Sequence, residues 1–70
     1  MKHGVLIYND EYDRMDIRFD LNDYYGGLHC GETFDVKIKN RWIPTRIEGA
    51  DGWYLVGVKT ESLIGLLVRI

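Results

Sequence analysis

Residues 14–20 read Arg14-Met15-Asp16-Ile17-Arg18-Phe19-Asp20. Charged and apolar side chains alternate there without interruption. Successive side chains of a β-strand point to opposite faces, so a period of two marks a strand with one dry and one wet face. The stretch therefore predicts a strand with Met15, Ile17 and Phe19 turned inward and Asp16, Arg18 and Asp20 in water.

The same grammar extends in both directions. His3–Tyr8 reads as an earlier strand, and Asn9-Asp10-Glu11 as the turn between them, because Asn and Asp bond their own backbone in turns. Residues 22–31 break the alternation with Gly26, Gly27 and Gly31, which imply tight turns or positive φ. Glu32–Lys39 resumes it, with Phe34, Val36 and Ile38 inward. Asn40-Arg41 is the expected hairpin turn, followed by Arg41–Glu48 with Ile43, Thr45 and Ile47 on one face. Pro44 has no N–H to give, so that strand is expected at an edge or bulged there. Gly49-Ala50-Asp51-Gly52 reads as a turn and Trp53–Val58 as a strand. An irregular connector with a single 3₁₀ turn covers 59–65, and Leu66–Ile70 closes the chain. The expected core is Met15, Ile17, Phe19, Phe34, Val36, Ile38, Ile47, Val56 and Val68.

Five to six short strands with no room for an ordinary helix make one all-β domain over residues 1–70. A flat sheet of this size would leave a face and two edges bare, whereas curling buries the apolar face. The order of elements resembles a small SH3-like barrel, with an early hairpin, a middle meander and an aromatic pair opening a late strand. An OB-like barrel is the main rival, but it usually needs a longer chain and a helix.

Composition bounds the function. The chain has 70 residues and one cysteine, Cys30. No intramolecular disulfide is possible, which points to a reducing cytoplasm. One Cys with His3 and His29 does not close a four-ligand zinc site. The first apolar run, Val5–Tyr8, is too short for an export signal, and no stretch reaches membrane-spanning length. Residues 1–35 hold eight acids against three bases, and residues 36–70 six bases against three acids. That asymmetry gives a two-signed surface and no large basic field of the kind nucleic acids select.

Three segments, Tyr24-Tyr25-Gly26-Gly27-Leu28-His29-Cys30-Gly31, Trp42-Ile43-Pro44-Thr45-Arg46-Ile47-Glu48 and Trp53-Tyr54-Leu55-Val56-Gly57, together resemble a family of small bacterial proteins of unknown function, found in Gram-positive bacteria and their mobile elements. The resemblance covers nearly the whole chain. It implies a free-standing cytoplasmic domain and assigns no activity and no functional residue.

The residues themselves yield few chemical candidates. His29 beside Cys30 suggests an activated thiolate, but neighbours on an extended chain point apart, and a lone cysteine is more often a small buried hydrophobe. Cys30 is therefore expected to be partly buried and chemically quiet. Asp10, Glu11, Asp13 and Asp16 lack the spacing of a calcium loop. Gly26-Gly27 leads into no helix, so it is not a phosphate loop. No cofactor, metal or catalytic group is expected. The aromatics carry more: nine of the residues are Phe, Tyr or Trp, more than so small a core can hold. Tyr24-Tyr25 and Trp53-Tyr54 are adjacent pairs, so one member of each should face out. The expected ligand surface is Tyr8, Tyr12, Tyr24, Tyr25, Trp53 and Tyr54, rimmed by Asp10, Glu11 and Asp13. It would make the domain a binding module for a protein or peptide segment that is basic or proline-rich. The alternative is a nucleic-acid-binding accessory protein using Lys37, Lys39, Arg41, Arg46 and Lys59. An acidic rim beside the aromatics favours the first, a basic stripe the second.

Overall fold

A computed structural model describes all residues from Met1 to Ile70. Seven strands form: β1 (His3–Asn9), β2 (Arg14–Asp20), β3 (Asp23–Tyr24), β4 (Thr33–Ile38), β5 (Arg41–Ala50), β6 (Gly52–Leu55) and β7 (Leu67–Arg69). They make one antiparallel sheet in the order β3-β2-β1-β7-β4-β5-β6. The small all-β class read from the alternation is the one observed. The sheet has seven strands rather than five or six, and its end strands β3 and β6 do not pair. The sheet curls without closing into a barrel. Its concave side gathers one apolar cluster of Leu6, Met15, Ile17, Leu28, Phe34, Val36, Ile47, Leu55 and Val68.

The long alternating strands emerge as read, and the registers explain their core. Leu6 faces Ile17, Val36 faces Val68, and Ile47 faces Leu55 across adjacent ladders. Gly4 on β1 is a steric necessity. A Cβ there would lie 2.6 Å from Ile17 Cγ2 and 2.7 Å from the Arg18 carbonyl, distances no side chain tolerates. Pro44 sits where β5 has β4 on one side only, since the β6 pairing spans only Ile47–Ala50. The missing N–H therefore costs no ladder bond.

Several local expectations are corrected. The β4–β5 turn is Lys39-Asn40, one residue earlier than read, with Ile38 opposite Arg41. Both turn residues have positive φ, 49° and 67°, the type I′ geometry whose twist matches the flanking strands. Gly49 and Ala50 belong to β5, and Ala50 pairs Gly52 around Asp51 alone. Consequently β6 ends at Leu55, which takes the core position expected for Val56. Val56-Gly57 is a turn, and its carbonyl accepts the buried Thr45 hydroxyl at 2.8 Å. The connector from 58 to 66 is irregular, with a turn at Ile64-Gly65 and no 3₁₀ helix. Phe19 and Ile38 pack against the core from its margin.

The largest departure is Asp16. The alternation assigns it to the wet face, yet it is fully buried. The cause is the chain after β3. The β2–β3 pairing shifts register between Arg18 and Asp20. Beyond it, only Tyr25 N–H to the Ile17 carbonyl and Leu28 N–H to the Met15 carbonyl continue the edge, both at 2.8 Å. That leaves the Ile17 N–H without a strand acceptor. The Asp16 carboxylate supplies one through Oδ1, which accepts Ile17 N–H at 2.8 Å, Gly26 N–H at 2.9 Å and Gly27 N–H at 2.8 Å. Oδ2 accepts the Asn9 side-chain amide at 3.0 Å. One carboxylate thus replaces a missing stretch of ladder, because a buried charge is tolerated only when its lone pairs are filled.

Candidate functional site

The tip of the β1–β2 hairpin and residues 24–26 enclose an open groove of about 480 Å³, lined by Ile7, Tyr8, Asn9, Asp10, Glu11, Tyr12, Tyr24 and Gly26. Each wall has a local cause. Asn9 Oδ1 accepts the Glu11 N–H at 3.0 Å, an Asx turn that starts the reversal. Asp13 ends it in the left-handed region at φ 54°. Asp13 also accepts the Tyr8 hydroxyl, which fixes that ring along the tip. Opposite, Asp16 clamps Gly26 and Gly27, so Tyr24 is held beside Tyr12. Gly27 has φ 100°, and a Cβ there would lie 2.9 Å from Arg14 Cδ. Only glycine lets the loop lie this close to β2. Arg14 itself donates to the Leu28 carbonyl at 3.0 Å.

Electrostatically the groove is one-signed. Asp10 and Glu11 are in its wall, and no Lys or Arg lines it. Asp10, Glu11 and Asp13 take part in none of the ion pairs, which are Lys2–Asp23, His29–Glu32, Arg46–Glu48 and Arg69–Asp35. The hydrogen bond to Asp13 pushes the Tyr8 phenol above its usual range, helped by partial burial and the charges of Asp13 and Asp10. Tyr8 therefore stays a neutral donor at physiological pH.

The expected ligand residues divide. Tyr8, Tyr12 and Tyr24 come together around the groove. Tyr25 follows directly, but its hydroxyl bonds Glu32 and ties the 24–28 segment to the start of β4. That bond raises the Tyr25 phenol. At Glu32, burial is the largest influence and pushes the carboxyl up. The Tyr25 hydroxyl, the His29 N–H and the His29 charge together outweigh it and leave the carboxyl below its ordinary value. Trp53 and Tyr54 lie on β6, at the opposite end of the strand order. Trp53 packs against the core and across Gly49, whereas Tyr54 is exposed. Neither lines the groove.

Cys30 is exposed, not partly buried as expected. It lies in the turn before β4, where strand alternation does not govern side-chain direction. His29 is turned to Glu32, with its N–H 2.7 Å and its Nδ1 3.6 Å from Oε2. No three His, Cys, Asp or Glu side chains converge as metal ligands would. No helix is long and apolar enough to cross a membrane.

Two features escaped the sequence. Asp16 was one, and its signal was the Gly26-Gly27 pair needing an acceptor. The other is Trp42, outside the candidate set. On the convex face its ring stacks on His3 with centroids 5.5 Å apart. Arg69 lies 4.5 Å and Lys37 5.5 Å from the ring. The alternation of Trp42 against Ile43 marks it as outward. Of the five bases grouped for nucleic acid, Lys37, Lys39 and Arg41 gather at the β4–β5 tip. Arg46 is paired with Glu48, and Lys59 lies in the connector. None of them lines the tyrosine groove.

A family model described as "Domain of unknown function (DUF5348)" matches residues 4–70. A crystal structure of a protein from Ruminococcus gnavus, solved as a structural-genomics target, is 59% identical, covers 97% of this chain and 99% of its own, and superposes with a TM-score of 0.91. No curated protein matches.

Proposed function

This chain belongs to that family of domains of unknown function, and we propose that it is a small non-catalytic binding module whose hairpin-tip groove receives a cationic protein segment. One observation carries the reading: Tyr8, Tyr12 and Tyr24 converge on a groove whose charged wall residues are Asp10 and Glu11, with no base among its lining. Tyrosine faces attract Arg and Lys through the ring quadrupole. Unpaired carboxylates at the rim add steering and reject anions. An acidic rim of this kind disfavours nucleic acid at the same surface, because phosphate binding requires released counterions and a basic track. A single cysteine and no disulfide suit work in the cytoplasm.

The test is a calorimetric titration with an acetylated Arg-Pro-Lys-Pro-Arg amide, using the wild-type chain and Tyr12→Ala. Tyr12 is half exposed, so its truncation leaves the fold intact. Binding that weakens tenfold or more on losing the ring, and that weakens with salt, supports the reading. Equal binding by both proteins refutes it.

A further inference from the structure

We infer that the cationic segment taken by the groove is the β4–β5 hairpin tip of a second copy of this chain, so that two copies close into a two-fold dimer. The inference rests on the groove reading above and adds the identity of the occupant.

Among the charged groups outside the internal ion pairs are two clusters of opposite sign. Asp10, Glu11 and Asp13 sit at the β1–β2 tip, and Lys37, Lys39 and Arg41 at the β4–β5 tip, and none of the six takes part in an ion pair. Their shapes complement as well. The acidic cluster borders a concavity. The basic one is a two-residue turn, Lys39-Asn40, with both residues and Arg41 exposed. A type I′ turn is narrow and stiff, so its backbone is already ordered and only the side chains have to be fixed on binding.

Topology lets both contacts form at once. β1 runs antiparallel to β7, and β7 antiparallel to β4. β1 and β4 therefore run the same way, and each ends in its own hairpin tip. The acidic groove and the basic turn lie toward one end of the sheet, their strands separated by β7 and by Gly65-Leu66 ahead of it, which bond Leu6. The two strands are two ladder spacings apart, about 10 Å. A two-fold axis between the tips places each basic turn in the partner's groove. The same patch serves both copies, which gives a closed dimer and no open chain of subunits.

Sedimentation equilibrium of the full chain between about 10 µM and 1 mM, a range that detects millimolar to micromolar dissociation constants, tests this. Two charge-reversed variants are compared with wild type: Asp10→Lys/Glu11→Lys, and Lys39→Glu/Arg41→Glu. All four positions are exposed, and near-UV circular dichroism confirms that each variant folds. The expected result is a wild-type dimer whose dissociation constant rises at least tenfold as salt increases from about 0.05 to 0.5 M, where screening shortens the reach of these charges. Each variant alone should be monomeric, and their equimolar mixture should dimerise, because reversal on opposite partners restores both contacts. A wild type that stays monomeric, variants that still dimerise alone, or a mixture that stays monomeric overturns the proposal. If the peptide titration above still detects a Tyr12-dependent site in that case, the groove serves another protein's basic segment. If both fail, the groove reading falls too.

Discussion

Replacing Asp16 by Ala removes the acceptor of three backbone N–H groups and one side-chain amide while deleting only a carboxylate. Ile17 N–H lies within β2 and has no other partner in reach, so it bears a full desolvation penalty. Gly26 and Gly27 sit in a loop that can shift toward water and recover part of theirs. With a buried unpaired donor costing about 1–3 kcal/mol, one full and two partial penalties amount to about 3–5 kcal/mol. A domain of this length has a total stability of about 4–10 kcal/mol, so Asp16→Ala should sit at or beyond the edge of folding. Asp16→Asn keeps an oxygen for the N–H groups but turns an amide toward the Asn9 amide. Asn9 cannot simply flip, because its oxygen already accepts the Glu11 N–H. We expect about 1–2 kcal/mol for that variant. Urea denaturation followed by far-UV circular dichroism measures both. With a slope near 1 kcal/mol per molar for a small domain, the Ala variant should lose about 3 M of midpoint or fail to fold. A loss below about 1 kcal/mol for Asp16→Ala would show that the carboxylate does not replace the missing ladder, and would refute the reasoning.

Three further outcomes follow from the same geometry. Leu28 is fully buried, so Leu28→Ala should cost about 2–5 kcal/mol in the same urea assay, with a loss under 1 refuting its place in the core. The Glu32 carboxyl is lowered in the fold, so its stabilisation is present above the ordinary glutamate range and lost as pH falls through the lowered value; Glu32→Gln should flatten that part of the stability–pH curve, and an unchanged curve would contradict the Tyr25–Glu32–His29 arrangement. Cys30 is exposed, so a disulfide reagent should label the native chain within tenfold of the unfolded rate, and protection of about a hundredfold or more would place the thiol inside.

The fold was legible wherever one face of a strand is dry and the other wet. Arg14–Asp20 and Glu32–Lys39 obey the alternation because their apolar positions all meet one core, and the observed strands are Arg14–Asp20 and Thr33–Ile38. Legibility failed where backbone pairing, not side-chain polarity, decides placement. Asp16 reads as a surface acid, and only the bulge between Arg18 and Asp20 makes it the acceptor for an orphaned edge. Leu28 lies in a glycine-rich segment without periodicity, so nothing local announces that it drops into the core. Leu55 took the place expected for Val56 because the turn at Asp51 is tighter than its four turn-forming residues suggest, which advances the register by one. Of the six aromatics expected to share one patch, three line a common groove. Tyr8 and Tyr12 share a hairpin tip that the Asn-Asp-Glu turn defines, and Tyr24 joins them through a loop clamped by a residue 8 positions earlier. Trp53 and Tyr54 do not line the groove, because strand order, which alternation does not encode, places them on β6, which pairs with β5 alone.

The most direct test of the groove's role is amide shift mapping in ¹⁵N-labelled protein, kept dilute so that the chain is monomeric. The ligand is a short peptide carrying arginine, compared with the same peptide carrying citrulline, its neutral counterpart. The arginine peptide should shift Tyr8, Asp10, Glu11, Tyr12, Tyr24 and Gly26 together, and citrulline should abolish most of the effect. Shifts centred on Trp53 and Tyr54, or equal shifts with citrulline, would contradict a cation-selective groove at the β1–β2 tip.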